Sequence, residues 1–125
     1  MTEVRVLGRF VPSALQSEIL ETEIRPHLPA CCARERVSVR IPDPRVSVHP
    51  DNLQWHQDGG GTAGTVRHMI VWASEQPTEI RRADGSVFIG EPYDLVWFNN
   101  DVAHHRQPAG TDEGRRWFLG VRCSG

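Results

Sequence analysis

A chain of 125 residues with 14 basic and 16 acidic side chains carries a formal net charge of −2. That length suits a single domain, residues 1–125, with one core. The charge gives no electrostatic reason to expect nucleic acid or an anionic membrane as partner, and no segment approaches the length of a membrane span. All 14 basic residues are Arg, which excludes Lys nucleophiles and Schiff-base chemistry. Cys31, Cys32 and Cys123 make an odd count with no Cys-x-x-Cys, arguing against a disulfide framework and a thiolate zinc site. The N-terminal residues lack the apolar run of a signal peptide. The expectation is a cytoplasmic protein with reduced thiols.

Val4 to Leu7 alternates as a short first strand. Ser13 with Gln16 reads as a capping box, and Leu15, Ile19, Leu20, Ile24 and Leu28 share one helical face. This predicts a helix over residues 13–25, stopped by Pro26 and Pro29 and packed on the outside of a sheet. From Arg36 to Ile41 the apolar period shortens to two, and Val46-Ser47-Val48 follows the Pro42-Asp43-Pro44 turn. Leu53 to Asp58 reads as a strand, and Gly59 to Gly64 as a flexible loop without a phosphate-loop signature. Thr65 to Ala73 is a long apolar strand. Thr78 to Arg81, Ser86 to Ile89, Tyr93 to Phe98 and Arg116 to Arg122 complete the set, with a hairpin turn at Ala83-Asp84-Gly85-Ser86. Many short strands with one helix predict a mainly β fold, a sandwich or jelly roll.

His56-Gln57-Asp58 places an imidazole and a carboxylate two residues apart, hence on one face of a strand. A second histidine from Asp101 to Arg106 would complete a 2-His-1-carboxylate metal site. His104 and His105 compete for that place, because strand neighbours point opposite ways. His105 is preferred on its spacing from Phe98. An arginine opening the last strand, Arg116 or its neighbour Arg115, suits a bidentate carboxylate clamp. Residues 116, 118 and 120 share a face, and Gly120 would leave room in a crowded pocket.

In order and spacing, His56-x-Asp58, His105 and Arg116 resemble the Fe(II)/2-oxoglutarate-dependent dioxygenases, as do Leu95 to Asn100 and Arg116 to Gly120. The resemblance spans residues 54–122. It implies a double-stranded β-helix (jelly roll) core, with Fe(II) held by His56, Asp58 and His105. It further implies that Arg116 binds the far carboxylate of 2-oxoglutarate and that a small-molecule substrate is hydroxylated, yielding succinate and CO2. Because family members usually have more chain around the core, either the substrate is small or a second subunit completes the pocket. A homodimer is one such option. Three alternatives stay open: a cupin-like enzyme without 2-oxoglutarate, a non-catalytic jelly-roll module, and a zinc hydrolase. The bland readings make His104 a solvent-facing or supporting residue and put Arg67 and His68 on a sheet surface. They make Arg81 and Arg82 turn-flanking, the four Trp core residues, and Cys31-Cys32 a buried small pair.

Overall fold

Side chains along β8 (Phe118–Cys123) divide between two faces, and the fold is built on both sides of that division. Leu119, Val121 and Cys123 are buried on one side, in the cluster that contains Leu20 and Ile24 of the helix. Phe118, on the other side, packs with Met69, Val71, Ile80, Val96 and Phe98. The computed structural model describes residues 3–11, 17–32, 37, 39–40, 50–58, 66–108 and 117–123.

Among the described residues the fold is mainly β, with two antiparallel sheets and one short α-helix. The larger sheet holds β1 (Val4–Arg9), β6 (Asp94–Asn99), β3 (His68–Ala73), β8 and β2 (Val39–Arg40), in that order. The smaller holds β5 (Val87–Ile89), β4 (Glu79–Arg81) and β7 (His104–Arg106). Inward residues of both sheets meet in one cluster, where Ile80 and Ala103 oppose Met69, Val71, Val96 and Phe98. On the far side of the larger sheet, α1 (Ser17–Ile24) lays Leu20 and Ile24 against Ile70, Trp72, Leu95 and Leu119. Both helix residues are fully buried, worth roughly 1.5–3 kcal/mol each. The expected layering, two facing sheets with a helix outside, is what the chain adopts.

The helix ends at Ile24, and Arg25–His27, with Pro26 inside it, continues as a single 3-10 turn. Proline removes the amide that another α-helical turn would need. The capping box at Ser13 and Gln16 lies outside the described residues, as do Arg36, Ser38, Ile41, the Val46–Val48 strand and the glycine loop at residues 59–64. The hairpin turn forms as expected. Arg82 N–H donates to the Ser86 carbonyl, and Gly85 adopts φ +90°, a conformation that favours glycine.

The expectation of reduced, unbridged thiols fails. Cys32 and Cys123 form a disulfide, with Cα atoms 5.6 Å apart. An odd cysteine count excludes complete pairing, not a single bridge. The partners are 91 residues apart in sequence and meet only because β8 carries Cys123 into the layer beneath the helix. No helix among the described residues is long and apolar enough to cross a membrane.

Candidate metal centre

His56 does not lie in a strand. Residues Pro50–Leu53 form a 3-10 turn, and the chain then makes one isolated antiparallel bridge, between His56 and His105. A continuous strand would need further ladder bonds. Instead the segment turns at Asp58, where the buried Asn100 amide captures the backbone. The bridge alone fixes orientation. His56 N–H donates to the His105 carbonyl at 3.1 Å, and His105 N–H returns the bond at 2.9 Å. Residues that exchange both bonds across an antiparallel pair direct their side chains to the same face. The two imidazoles therefore meet, with ring centroids 4.2 Å apart.

Asp58 completes the group. Its Oδ1 lies 3.4 Å from His56 Nε2 and 3.2 Å from His105 Nε2. One donor atom from each of the three residues falls within 4.8 Å of the others. The site sits at one end of the gap between the sheets, where β6 and β8 end and β3 begins. The Phe98 ring packs 5.1 Å from that of His105 and forms part of the dry wall.

Arg122 holds the carboxylate, and Asn100 and Gln57 hold the backbone around it. Arg122 Nε donates to Asp58 Oδ2 at 2.7 Å, leaving Oδ1 for the imidazoles. Asn100, buried in the β6–β7 turn, donates through Nδ2 to the Asp58 carbonyl at 2.8 Å and the Val66 carbonyl at 2.9 Å. Its Oδ1 accepts from Asp58 N–H at 3.3 Å. Gln57 Nε2 donates to the carbonyls of Asn100 and Asp101. The hydrogen bond from His105 does most to hold the Asp58 carboxyl down, to about 2. Burial opposes it, and the charges of His105 and Arg122 add to it.

The histidine protons follow from their partners. His56 Nδ1 lies 2.7 Å from the Gln54 carbonyl, which can only accept, so Nδ1 carries the hydrogen. The other ring nitrogen, His56 Nε2, faces a carboxylate oxygen. A nitrogen and a carboxylate oxygen 3.4 Å apart are satisfied by a cation they share, either a proton on Nε2 or a metal ion. His105 Nδ1 is buried without a partner among the described residues, so in the metal-free protein Nε2 carries a proton toward Asp58, which a bound metal ion would have to displace. This donor set fits a divalent ion. Adjacent ligands about 2.1 Å from a common metal stand about 3 Å apart, close to the separations seen.

His104 points away from this group, as alternation along β7 requires. Burial, then the neighbouring charge of Arg81, pushes its pKa below the usual histidine value. Arg67 is exposed, and His68 accepts a hydrogen bond from Trp97 Nε1 on the larger sheet. Trp55 is not core: it is half-buried, with the guanidinium carbons of Arg106 at 4.2 Å and Arg81 at 5.0 Å from its ring centre. Arg115 and Arg116 lie outside the described residues. Gly120 leaves no open space on its own strand face, because a Cβ there would meet the Phe118 ring at 3.2 Å.

Arg122 and Asn100 are the residues that sequence reasoning missed. Arg122 had a signal: it continues the face of residues 116, 118 and 120 by one further step. Asn100 had only its place, a polar residue just beyond an apolar strand. No protein-family model, curated protein or solved structure matches the chain.

Proposed function

We propose that the chain is a non-haem Fe(II) oxygenase, with the metal held by His56, Asp58 and His105 and with 2-oxoglutarate as cosubstrate. The observation that carries this reading is the convergence of His56 Nε2 and His105 Nε2 on Asp58 Oδ1, at 3.4 and 3.2 Å. Two imidazoles and one carboxylate on one side leave the rest of a metal's coordination open, as non-haem oxygenases require.

The pairing order supports a double-stranded β-helix. β2 pairs with β8, the His56 segment with β7, β3 with β6 and β4 with β5. These four pairs are nested, the order a long hairpin gives when it rolls into a jelly roll.

Bound iron would supply activation of dioxygen against a substrate C–H bond. The chain's own contribution is positional. Gln54 fixes the His56 ring, and Arg122 takes one oxygen of Asp58 so that the other is presented alone. Phe98 helps exclude water. Arg116 is proposed to bind the far carboxylate of 2-oxoglutarate, on the strength of its place in the sequence. The substrate is proposed to be a small molecule. A cytoplasmic location belongs to the same proposal, with the Cys32–Cys123 bridge then exposed to cellular reductants.

The test is anaerobic addition of Fe(II) followed by 2-oxoglutarate. A weak visible charge-transfer band should develop in the wild-type protein and be lost in Arg116→Ala. Iron binding without any 2-oxoglutarate response would transfer support to a cupin-like enzyme.

A further inference from the structure

We propose that the hairpin end of the small sheet carries a second binding site, for a small organic anion with a phosphate or carboxylate head and an apolar body. His104 and Arg81 are cross-strand partners on β7 and β4, facing away from the metal group. Together with residues 82–85 and Val102 they line an open bowl of about 550 Å³. That volume lies within the range of small-molecule sites.

The charge in the bowl is unbalanced. Arg81 and Arg82 are both half-buried, and neither forms an ion pair among the described residues. The Arg81 guanidinium rests over Trp55, and that of Arg82 over Phe88 at 5.6 Å while donating to Ser86 Oγ at 3.3 Å. Asp84 is the one acidic residue in the lining, and its Oδ1 already accepts from both the N–H and the hydroxyl of Ser86. Glu3, at the edge, is spent on Ala83 N–H at 2.9 Å. After the Ser86 hydrogen bonds, the charge of Arg82 also helps to hold the Asp84 carboxyl below the usual range, but with two arginines against one aspartate the lining still carries one positive charge in excess. An oxyanion would balance that excess, since a planar fork can donate two parallel hydrogen bonds to it. The stacking on Trp55 and Phe88 holds the forks in place before the ligand arrives.

The apolar part of the ligand has a wall to rest on. Val102 is exposed at 40% and lines the bowl from the β6–β7 turn. A bare inorganic ion would leave that wall wet, so an organic anion fits better.

The experiment uses the full chain stripped of metal on a chelating resin, so that anion binding at the proposed iron centre does not contribute. Backbone amide shifts are followed by NMR while inorganic phosphate, phenyl phosphate or benzoate is added at constant ionic strength. Saturable shifts confined to residues 81–85 and 102–104 are expected, with phenyl phosphate at least tenfold tighter than inorganic phosphate. Stronger response to phenyl phosphate would assign a phosphate head, and stronger response to benzoate a carboxylate. Arg82→Gln, which leaves the Trp55 stack intact, and Val102→Glu, at an exposed position, should each weaken binding at least tenfold. No saturation with any of the three probes would overturn the proposal. So would unchanged affinity in both variants, or shifts centred on arginines elsewhere.

Discussion

His56 and His105 exchange both backbone hydrogen bonds across a single isolated bridge, and this one contact aims both imidazoles at the same carboxylate oxygen of Asp58. The bridge separates the tandem histidines by function. His105→Ala removes a donor atom and should weaken Co(II) or Fe(II) binding more than about 100-fold, the upper range for loss of even a supporting group. His104→Ala should change it less than about threefold. Co(II) titration, read by its visible absorption, makes the comparison. Equal loss in both variants would mean that the sheet itself has been disturbed.

Asn100 should matter to metal affinity without touching the metal. Its amide binds the Asp58 backbone through both its oxygen and its nitrogen, and ties it to Val66. Asn100→Asp keeps the size but turns an N–H donor into an oxygen facing two carbonyls. Leaving buried groups unpaired costs about 1–3 kcal/mol of stability. Misplacing the carboxylate should cost a further tenfold to 100-fold in metal affinity. Unfolding of the metal-free protein reads the first effect and Co(II) titration the second. An affinity loss no larger than that of an equally destabilising core variant would assign Asn100 a structural role only.

The layers and the grouping of His56 with Asp58 were legible in the sequence because both depend on short periods. Alternation in β8 separates Leu119 and Val121 from Phe118 and Arg122, and helical spacing brings Leu20 and Ile24 together. His56 and Asp58 do share a site, though by a bridge and a turn rather than by a strand. What stayed hidden were contacts that only the assembled sheets create. The Arg122–Asp58 pair joins residues 64 positions apart, and the cysteine bridge joins residues 91 apart. No local pattern encodes either distance. The same holds for Trp55, which reads as a core aromatic until two arginines from neighbouring strands are found on it.

The Cys32–Cys123 bridge pins the end of β8 beneath the helix, one residue beyond Arg122. Closing so long a loop should stabilise the fold by about 2–5 kcal/mol. Cys32→Ser should therefore lower the urea midpoint clearly, and dithiothreitol should do the same to wild type while leaving the variant unchanged. Alkylation of the unfolded, non-reduced protein, followed by intact mass, should modify one cysteine of the three. Modification of all three would show that the bridge does not form.

Acid should weaken the metal-free fold through Asp58. Its pKa is lowered from 3.8 to about 2 in the folded protein, chiefly by the hydrogen bond from His105 and then by the charges of His105 and Arg122. A carboxyl depressed in the folded state binds its proton more readily when unfolded. Its stabilising contribution is therefore fully present above the unfolded value, near 3.8, and is lost as pH falls toward 2. At about 1.4 kcal/mol per pKa unit, the loss is on the order of 2 kcal/mol. Urea unfolding of wild type and Asp58→Asn between pH 7 and pH 2, without metal, should show a stability gap that is constant above about pH 4 and closes by about that amount below it. Arg122→Gln should shrink the closure only modestly, because the arginine side chain is 67% exposed and solvent screens its charge. His105→Ala should shrink it more, since it removes the hydrogen bond that does most to lower the carboxyl. If the gap between wild type and Asp58→Asn stays constant down to pH 2, Asp58 is not held between the two histidines in solution. The metal-centre proposal would then lose its geometric basis.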